Sequence, residues 1–126
     1  MSQFAERRRY RRFEIPGGEA RHKRIAGPAI LKHFSKLHPL LNVSVGGLAL
    51  ICEENFSHGE EVIIQLEVPK ESPLNLHSKV RWQEPIALSA DIIVGFEFKE
   101  FGDNKNLNSP ELLVAIRRLY AKYIKK

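Results

Sequence analysis

The middle of the chain contains the sequence Asn42-Val43-Ser44-Val45-Gly46-Gly47, followed directly by the apolar run Leu48-Ala49-Leu50-Ile51-Cys52. An apolar run of this length between turn residues is typical of a β-strand. Because side chains alternate along an extended chain, Asn42 and Ser44 are predicted to point the same way. Gly46 and Gly47 permit a tight turn or a bulge, and they let a ligand approach the backbone. Residues 42–47, which we call the lip, are therefore predicted to form a polar, hydrogen-bonding edge.

A cluster of arginines near the N-terminus accompanies the lip. Residues 7–12 contain five arginines, a positive charge equal to the formal net charge of +5 for the whole chain. Basic character concentrated in this way favours a phosphate-bearing partner or an acidic surface, although a solvated tail without function is the alternative. Arginine suits phosphate because its planar guanidinium donates paired hydrogen bonds and keeps its charge, and it also matches the O6 and N7 acceptors of guanine.

The chain is predicted to form a flexible arm over residues 1–12 and a single folded domain over residues 13–126. Apolar and polar residues alternate in the second half of the chain. Strands are predicted at residues 48–53, 61–68, 74–83 and 91–98. Another strand is predicted near residues 29–34, where the spacing fits a helix about as well. Several short alternating strands indicate an antiparallel sheet, either closed into a barrel or folded as a sandwich.

The C-terminal segment is predicted to be one amphipathic helix over about residues 109–125. Ser109 is a plausible N-cap and Pro110 suits the first helical position. The apolar stripe consists of Leu112, Ile116, Leu119 and Tyr123. Because this stripe must be buried, we expect the helix to lie across one end of the barrel.

Groups that could carry catalysis or bind a metal do not assemble in the sequence. The five histidines are His22, His33, His38, His58 and His77. None is paired with a cysteine or carboxylate at metal-ligand spacing, so each is predicted to lie at the surface and no metal site is expected. Cys52, the single cysteine, is predicted to be a small core residue. Without a phosphate-binding glycine loop or a glycine-flanked serine nucleophile, the protein is predicted not to be an enzyme.

The sequence also lacks the apolar segments that direct a chain to or across a membrane. No signal-like segment occurs at the N-terminus, and no apolar run approaches membrane-spanning length. A cytoplasmic location is therefore predicted.

Two motifs, taken in order, resemble those of the PilZ domain, the bacterial receptor for cyclic di-GMP. The family motifs are RxxxR and, further along the chain, (D/N)xSxxG. They are met here by Arg8 and Arg12, with Arg7 as an additional arginine, and by Asn42, Ser44 and Gly47. The later segment Val80-Arg81-Trp82, the segment 93–98 and the single C-terminal helix are also similar to the family. The resemblance covers most of the chain.

The resemblance implies a mainly β fold, namely a six-stranded antiparallel barrel with one C-terminal helix. It also implies a non-catalytic receptor that binds cyclic di-GMP and needs no cofactor. In this interpretation the arm folds over the barrel mouth when the ligand arrives, and the new surface binds a downstream protein. The ligand-binding residues that the resemblance implies are Arg7, Arg8, Arg12, Asn42, Ser44, Gly46 and Gly47.

Arg81 and Trp82 are weaker candidates for the same site. Alternation assigns Trp82 to the core face, and a ring that stacks on a base is the alternative. Arg81 lies on the opposite face and is a second possible ligand contact. The motif begins with Asn42 instead of the commoner aspartate, and an amide oxygen accepts hydrogen bonds from guanine more weakly than a carboxylate does.

Two other functions compete with the receptor hypothesis. One is a protein-interaction scaffold of PilZ fold that does not bind nucleotide, although the retained arginines disfavour it. The other is a small nucleic-acid-binding barrel, which the basic arm permits. The strand faces lack the exposed aromatic residues that would stack on successive bases, so nucleic acid is the less favoured partner.

Overall fold

The computed structural model describes residues 11–26 and 33–124 of the chain. Six strands and one helix are formed in these ranges. They are β1 (Glu19–Arg24), β2 (His38–Ser44), β3 (Gly47–Cys52), β4 (Glu61–Glu67), β5 (Leu74–Pro85), β6 (Ile92–Phe98) and α1 (Pro110–Tyr123).

The six strands form a closed barrel in the order β1-β2-β3-β6-β5-β4. Each neighbouring pair is antiparallel, and the pairing of β1 with β4 closes the circle. The seam between β1 and β2 is the shortest, with only Glu19–Pro39 and Ala20–His38 paired, whereas the other neighbouring strands pair over four residues or more. The mainly β, six-stranded barrel with one C-terminal helix that the sequence resemblance implies is therefore confirmed.

The core follows the alternation read in the sequence. In β4, Val62, Ile64 and Leu66 are each 0% exposed, whereas the residues between them lie outside. The four predicted strands correspond to β3, β4, β5 and β6, with ends that agree within two residues. Cys52 is buried, as predicted.

The strand that was predicted near residues 29–34 falls largely outside the described residues, and residues 33–37 are not in a strand. The first two strands lie instead at residues 19–24 and 38–44. In β1 the positions that face inward are Ala20 and His22, both buried. A strand whose inner face presents only one small and one polar residue gives little hydrophobic alternation, which is why the sequence did not reveal it.

Helix α1 contributes its apolar stripe to the main core, where Ile116 and Leu119 are buried. Tyr120 meets Phe13 edge to face, with ring centroids 5.6 Å apart. Lys122 forms an ion pair with Glu71, in the connection between β4 and β5. The helix therefore packs beside that connection and the segment that precedes β1. It is neither long nor apolar enough to span a membrane, and it is the only helix in the described residues.

The hairpin of β2 and β3 defines two ends of the barrel. Ser44 pairs with Gly47 at one end, which we call the lip end. His38 begins β2 and Cys52 ends β3 at the other, which we call the far end. At about 3.3 Å per residue, the seven residues of β2 separate the two ends by roughly 20 Å.

Candidate functional site: the lip of the barrel

The N-terminal segment is attached to the barrel at the lip. Phe13 forms a bridge with Val43, and the two residues exchange backbone hydrogen bonds of 2.8 and 2.9 Å. Both side chains are buried in the core. Because Phe13 is fixed in this way, the residue before it is held against the outer face of β2.

Arg12 is that residue, and it lies against Asn42. Its Nη1 donates a hydrogen bond of 2.9 Å to Oδ1 of Asn42. The arginine is exposed and Asn42 is half-buried. A guanidinium has five N–H donors, so this single bond leaves capacity for an anion. The last residue of the first motif and the first residue of the second, 30 positions apart in the chain, are thus in contact.

The rest of the lip forms the tight turn between β2 and β3. The Ser44 hydroxyl accepts a hydrogen bond of 3.1 Å from the N–H of Gly46 and lies 3.5 Å from the carbonyl oxygen of Gly47. Gly47 has no room for a side chain, because a Cβ there would overlap the carbonyl oxygen of Phe96. Ser44 is only 6% exposed. These contacts give Ser44 and both glycines a local structural role, whereas ligand contact by these residues stays a prediction.

A row of four paired residues crosses the outer face of the barrel from Asn42. Asn42 pairs with Ala49, Ala49 pairs with Gly95, and Gly95 pairs with Trp82. Residues that are directly paired across strands share a face of the sheet. The two small residues at the centre of the row are buried, Gly95 beneath the Trp82 indole, with the amide of Asn42 at the other end. We call Asn42, Ala49, Gly95 and Trp82 the outer row.

Trp82 lies on this outer face, so the core position predicted from alternation is wrong. Val80 pairs with Phe96 and Trp82 pairs with Gly95, and one extra residue on β5 shifts the register between them. This bulge reverses the alternation, so Val80 is buried and Trp82 is half-buried. The indole covers Gly95 so closely that a Cβ there would overlap it.

Arg81 occupies the bulge next to Trp82. Its Nη1 lies 3.3 Å from Oε1 of Glu97, and both side chains are partly exposed. The carboxylate reduces the positive charge that Arg81 offers to a ligand. Arg7 and Arg8, the other predicted arm residues, lie outside the described residues.

Sequence reasoning did not identify Ala49 and Gly95 as parts of the site. The available signal was a glycine inside a predicted strand, which often marks a place where another group approaches the backbone closely. The indole of Trp82 is that group here. The sequence could not show which side chain would fill the space.

Two of the five histidines contradict the predicted surface position. His22 and His38 are 4% and 5% exposed, at the far end of the barrel, whereas His33, His58 and His77 are exposed as predicted. Burial lowers the pKa of His22 from 6.5 to about 4, a shift that the nearby Glu54 only partly opposes.

Burial also raises the pKa of the Cys52 thiol to about 12. A thiol of this kind is protonated and unreactive at neutral pH.

The fold and the lip together define a class of protein: a small closed barrel that holds an exposed arginine over a polar strand edge. The sequence matches the PilZ domain over residues 6–115. Since this match spans most of the chain, the protein belongs to the PilZ domain family. The matched range contains both motifs, the first in the arm and the second at the β2–β3 turn.

The structure is also similar to a solved structure described as that of YcgR in complex with c-di-GMP from Escherichia coli. The TM-score is 0.68 and the sequence identity is 17%. The match covers 92% of this chain and 45% of YcgR, so the chain spans about half the length of that protein. At this identity the similarity establishes the fold. A search of curated proteins found no match, and neither the PilZ domain nor YcgR indicates an enzymatic family.

Proposed function

We propose that the protein is a non-catalytic receptor for cyclic di-GMP, which binds at the lip. The observation that supports this most strongly is the hydrogen bond between Arg12 and Asn42. It joins the last residue of the first family motif to the first residue of the second at the surface of the barrel. Membership of the PilZ family and the shared fold with YcgR, a protein solved in complex with c-di-GMP, agree with this function.

The ligand carries two phosphates and two guanines, and the groups at the lip are suited to both. Arg12, together with Arg8 and Arg7 of the arm, would donate charge-assisted hydrogen bonds to the phosphate oxygens. The amide of Asn42 offers an acceptor to guanine N1–H or N2–H, and its N–H₂ group offers a donor. Arg12 would release Asn42 Oδ1 or share it when the ligand enters.

The outer row adds a surface on which a base could lie. Ala49 is buried and Gly95 is covered by the Trp82 indole, so a base would lie on the outer face of that indole, beside Asn42. Stacking of a base on an aromatic side chain contributes about 1–3 kcal/mol. In this arrangement Asn42 reads the edge of a guanine while Trp82 contacts its face or its rim.

The arm would act as the switch. Residues 1–12 carry the arginines, and Phe13 anchors their C-terminal end to the barrel. Binding of a doubly charged ligand would order the arm over the lip and create a new surface for a downstream protein partner in the cytoplasm. Like-charge repulsion between the arginines would be relieved only in the bound state.

Isothermal titration calorimetry with cyclic di-GMP tests the proposal directly. Saturable binding is expected, with much weaker binding of GMP, which lacks the second phosphate linkage and base. Cyclic di-AMP is the matched control for the base, because it has the same backbone charge and lacks the guanine O6 and N2 groups. Absence of binding up to millimolar cyclic di-GMP would exclude the proposed function.

A further inference from the structure

A second group of polar side chains meets at the far end of the barrel, away from the lip. His22 lies on β1, His38 begins β2 and Cys52 ends β3. One ring nitrogen from each histidine and the sulfur of Cys52 all lie within 4.8 Å of one another. The three residues are 4%, 5% and 1% exposed. Two imidazoles and a thiol thus converge in the interior from three neighbouring strands.

One atom of this group has no hydrogen-bond partner. Nε2 of His22 is fully buried and forms no hydrogen bond with any described residue. Oε1 of Glu54 lies only 2.8 Å away, but the approach does not have the geometry of an N–H···O hydrogen bond. Buried polar atoms in native proteins almost always have a partner. In the neutral tautomer with its proton on Nδ1, His22 presents the Nε2 lone pair to this carboxylate, and a cation bound by both would satisfy them.

The chemistry of the group selects the kind of cation. Neutral imidazole, thiolate and carboxylate are ligands of zinc, whereas magnesium and calcium prefer oxygen ligands. Zinc displaces the proton of a coordinating thiol into solvent, so Cys52, protonated in the metal-free chain, would bind as the thiolate. Zinc binds nitrogen at ~2.0–2.1 Å and sulfur at ~2.3 Å, which places tetrahedral ligand atoms roughly 3.3–3.8 Å apart. The separation of up to 4.8 Å between the ligand atoms of His22, His38 and Cys52 would therefore close by about 1 Å on binding. Because the two imidazole rings are stacked within 16° of parallel, one of them would also turn so that both lone pairs point at the ion.

The surroundings are those of a closed structural site with one opening. Phe56 covers the His22 ring edge to face, with centroids 5.0 Å apart, and the rings of His22 and His38 stack at 5.1 Å. Glu54 is about half-exposed, so it marks the side from which a metal could enter. Arg24 forms ion pairs with Glu54 at 3.8 Å and Glu60 at 2.8 Å, which holds this acidic rim in place.

We propose that the far end of the barrel binds one Zn²⁺ ion, with the converging His22, His38 and Cys52 as ligands. Glu54, whose Oε1 lies 2.8 Å from Nε2 of His22, would turn toward the ion as the fourth ligand. The site would link β1, β2 and β3. It lies about 20 Å from the lip, a distance that follows from the seven residues of β2 at about 3.3 Å per residue. The proposal does not depend on nucleotide binding. Zinc has no redox chemistry here, and the closed coordination leaves no position for a substrate, so its role is structural.

The test uses the full chain, freed of metal by a chelator and then titrated with Co²⁺ and with Zn²⁺. Cobalt replaces zinc in such sites and reports a sulfur ligand as a charge-transfer absorption band. We expect one Co²⁺ per chain, a sulfur-to-cobalt band, and loss of that band when one equivalent of Zn²⁺ is added. At a thousandfold excess of Zn²⁺ over Kd, the Tm should rise by about 10 °C or more.

Three variants locate the site. Cys52→Ser should abolish the charge-transfer band. Glu54→Gln changes a half-exposed residue that the core does not need, so the variant should fold, and its Zn²⁺ affinity should fall by about tenfold or more. His58→Ala, at an exposed histidine outside the group, is the matched control and should bind as the wild type does.

Either of two results overturns the proposal. One is the absence of saturable Co²⁺ binding and of any Zn²⁺-dependent change in the Tm of the wild-type chain. The other is a metal that binds equally well to Cys52→Ser and Glu54→Gln, which would place it elsewhere on the surface. If Cys52→Ser does not fold, the wild-type titration and Glu54→Gln decide between these results.

Discussion

The two ends of the barrel use polar side chains in opposite ways. At the lip end, Arg12 is exposed and shares one hydrogen bond with a half-buried asparagine. At the far end, His22 and Cys52 are buried among aromatic and apolar groups. Strands β2 and β3 run from one end to the other. The contrast agrees with the two proposed tasks, in which the far end supports the fold and the lip keeps donors and acceptors available to a ligand.

The largest expected effect comes from a change at the far end that should leave the lip untouched. Phe56 is 6% exposed and contacts His22, Phe96 and Arg24. Phe56→Ala should lower the free energy of unfolding by about 3 kcal/mol, because it leaves a cavity in the core. Urea denaturation measures this loss. Affinity for cyclic di-GMP should stay within about twofold, since distant sites act independently, and a large loss of affinity would refute the separation of the two ends.

Arg12→Ala should have the opposite effects, with a large loss of affinity and little change in stability. Its affinity for cyclic di-GMP should fall by about 10- to 100-fold, because charge-assisted hydrogen bonds to phosphate are lost. The Tm should change by no more than about 2 °C, as is usual for an exposed side chain. Titration calorimetry and thermal melting measure the two quantities on the same sample.

Arg11→Ala is the matched control for Arg12→Ala. Arg11 is an exposed neighbour with the same charge, and it occupies a position of the RxxxR motif at which the motif specifies no residue. Removal of Arg11 should weaken binding by no more than about threefold, through reduced long-range attraction. Equal losses in the two variants would mean that the arm attracts the ligand only by its overall charge.

Trp82→Ala tests the outer row. If a base lies against the indole, affinity should fall by about tenfold, which is within the range for loss of one aromatic stack. Trp82→Phe keeps an aromatic face and should retain most of the affinity. The same binding for wild type and Trp82→Ala, in a protein of unchanged Tm, would remove Trp82 from the site.

The smallest expected effect comes from Asn42→Asp, which should raise the affinity for cyclic di-GMP, whereas the other substitutions at the lip lower it. A carboxylate accepts hydrogen bonds from guanine N1–H and N2–H more strongly than an amide, so binding should tighten by about threefold. Asn106→Asp makes the same charge change at an exposed loop position and should leave the affinity unchanged. Weaker binding by Asn42→Asp would show that Asn42 faces a phosphate instead of a guanine.

Much of the fold could be predicted because β3 to β6 and α1 obey simple periodicities. In β4 every second residue is apolar and buried, and in α1 Ile116 and Leu119 recur at helical spacing. The first two strands were not predicted. In β1 a buried histidine takes a position where a strand pattern needs an apolar side chain. The structure accommodates it because His38 and Phe56 pack on its ring.

The site was predictable as two separate pieces. The sequence motifs identified Arg12 and Asn42 as candidates. Only the bridge between Phe13 and Val43, seen in the structure, explains why Arg12 and Asn42 are in contact. Trp82 was assigned to the wrong face, because a bulge shifts the alternation by one residue and has no clear signature in the sequence. Local patterns thus identify the residue types of the site, whereas long-range pairing decides their positions.

Binding of cyclic di-GMP at the lip is tested most sharply by a two-dimensional ¹H–¹⁵N NMR titration of the protein with this ligand. The largest changes in chemical shift are expected at the backbone amides of Asn42 and Gly46 and at the indole N–H of Trp82. The amides of Cys52 and Glu54, at the far end, should move little. Changes centred on the far end, or none at a saturating concentration of ligand, would exclude binding at the lip.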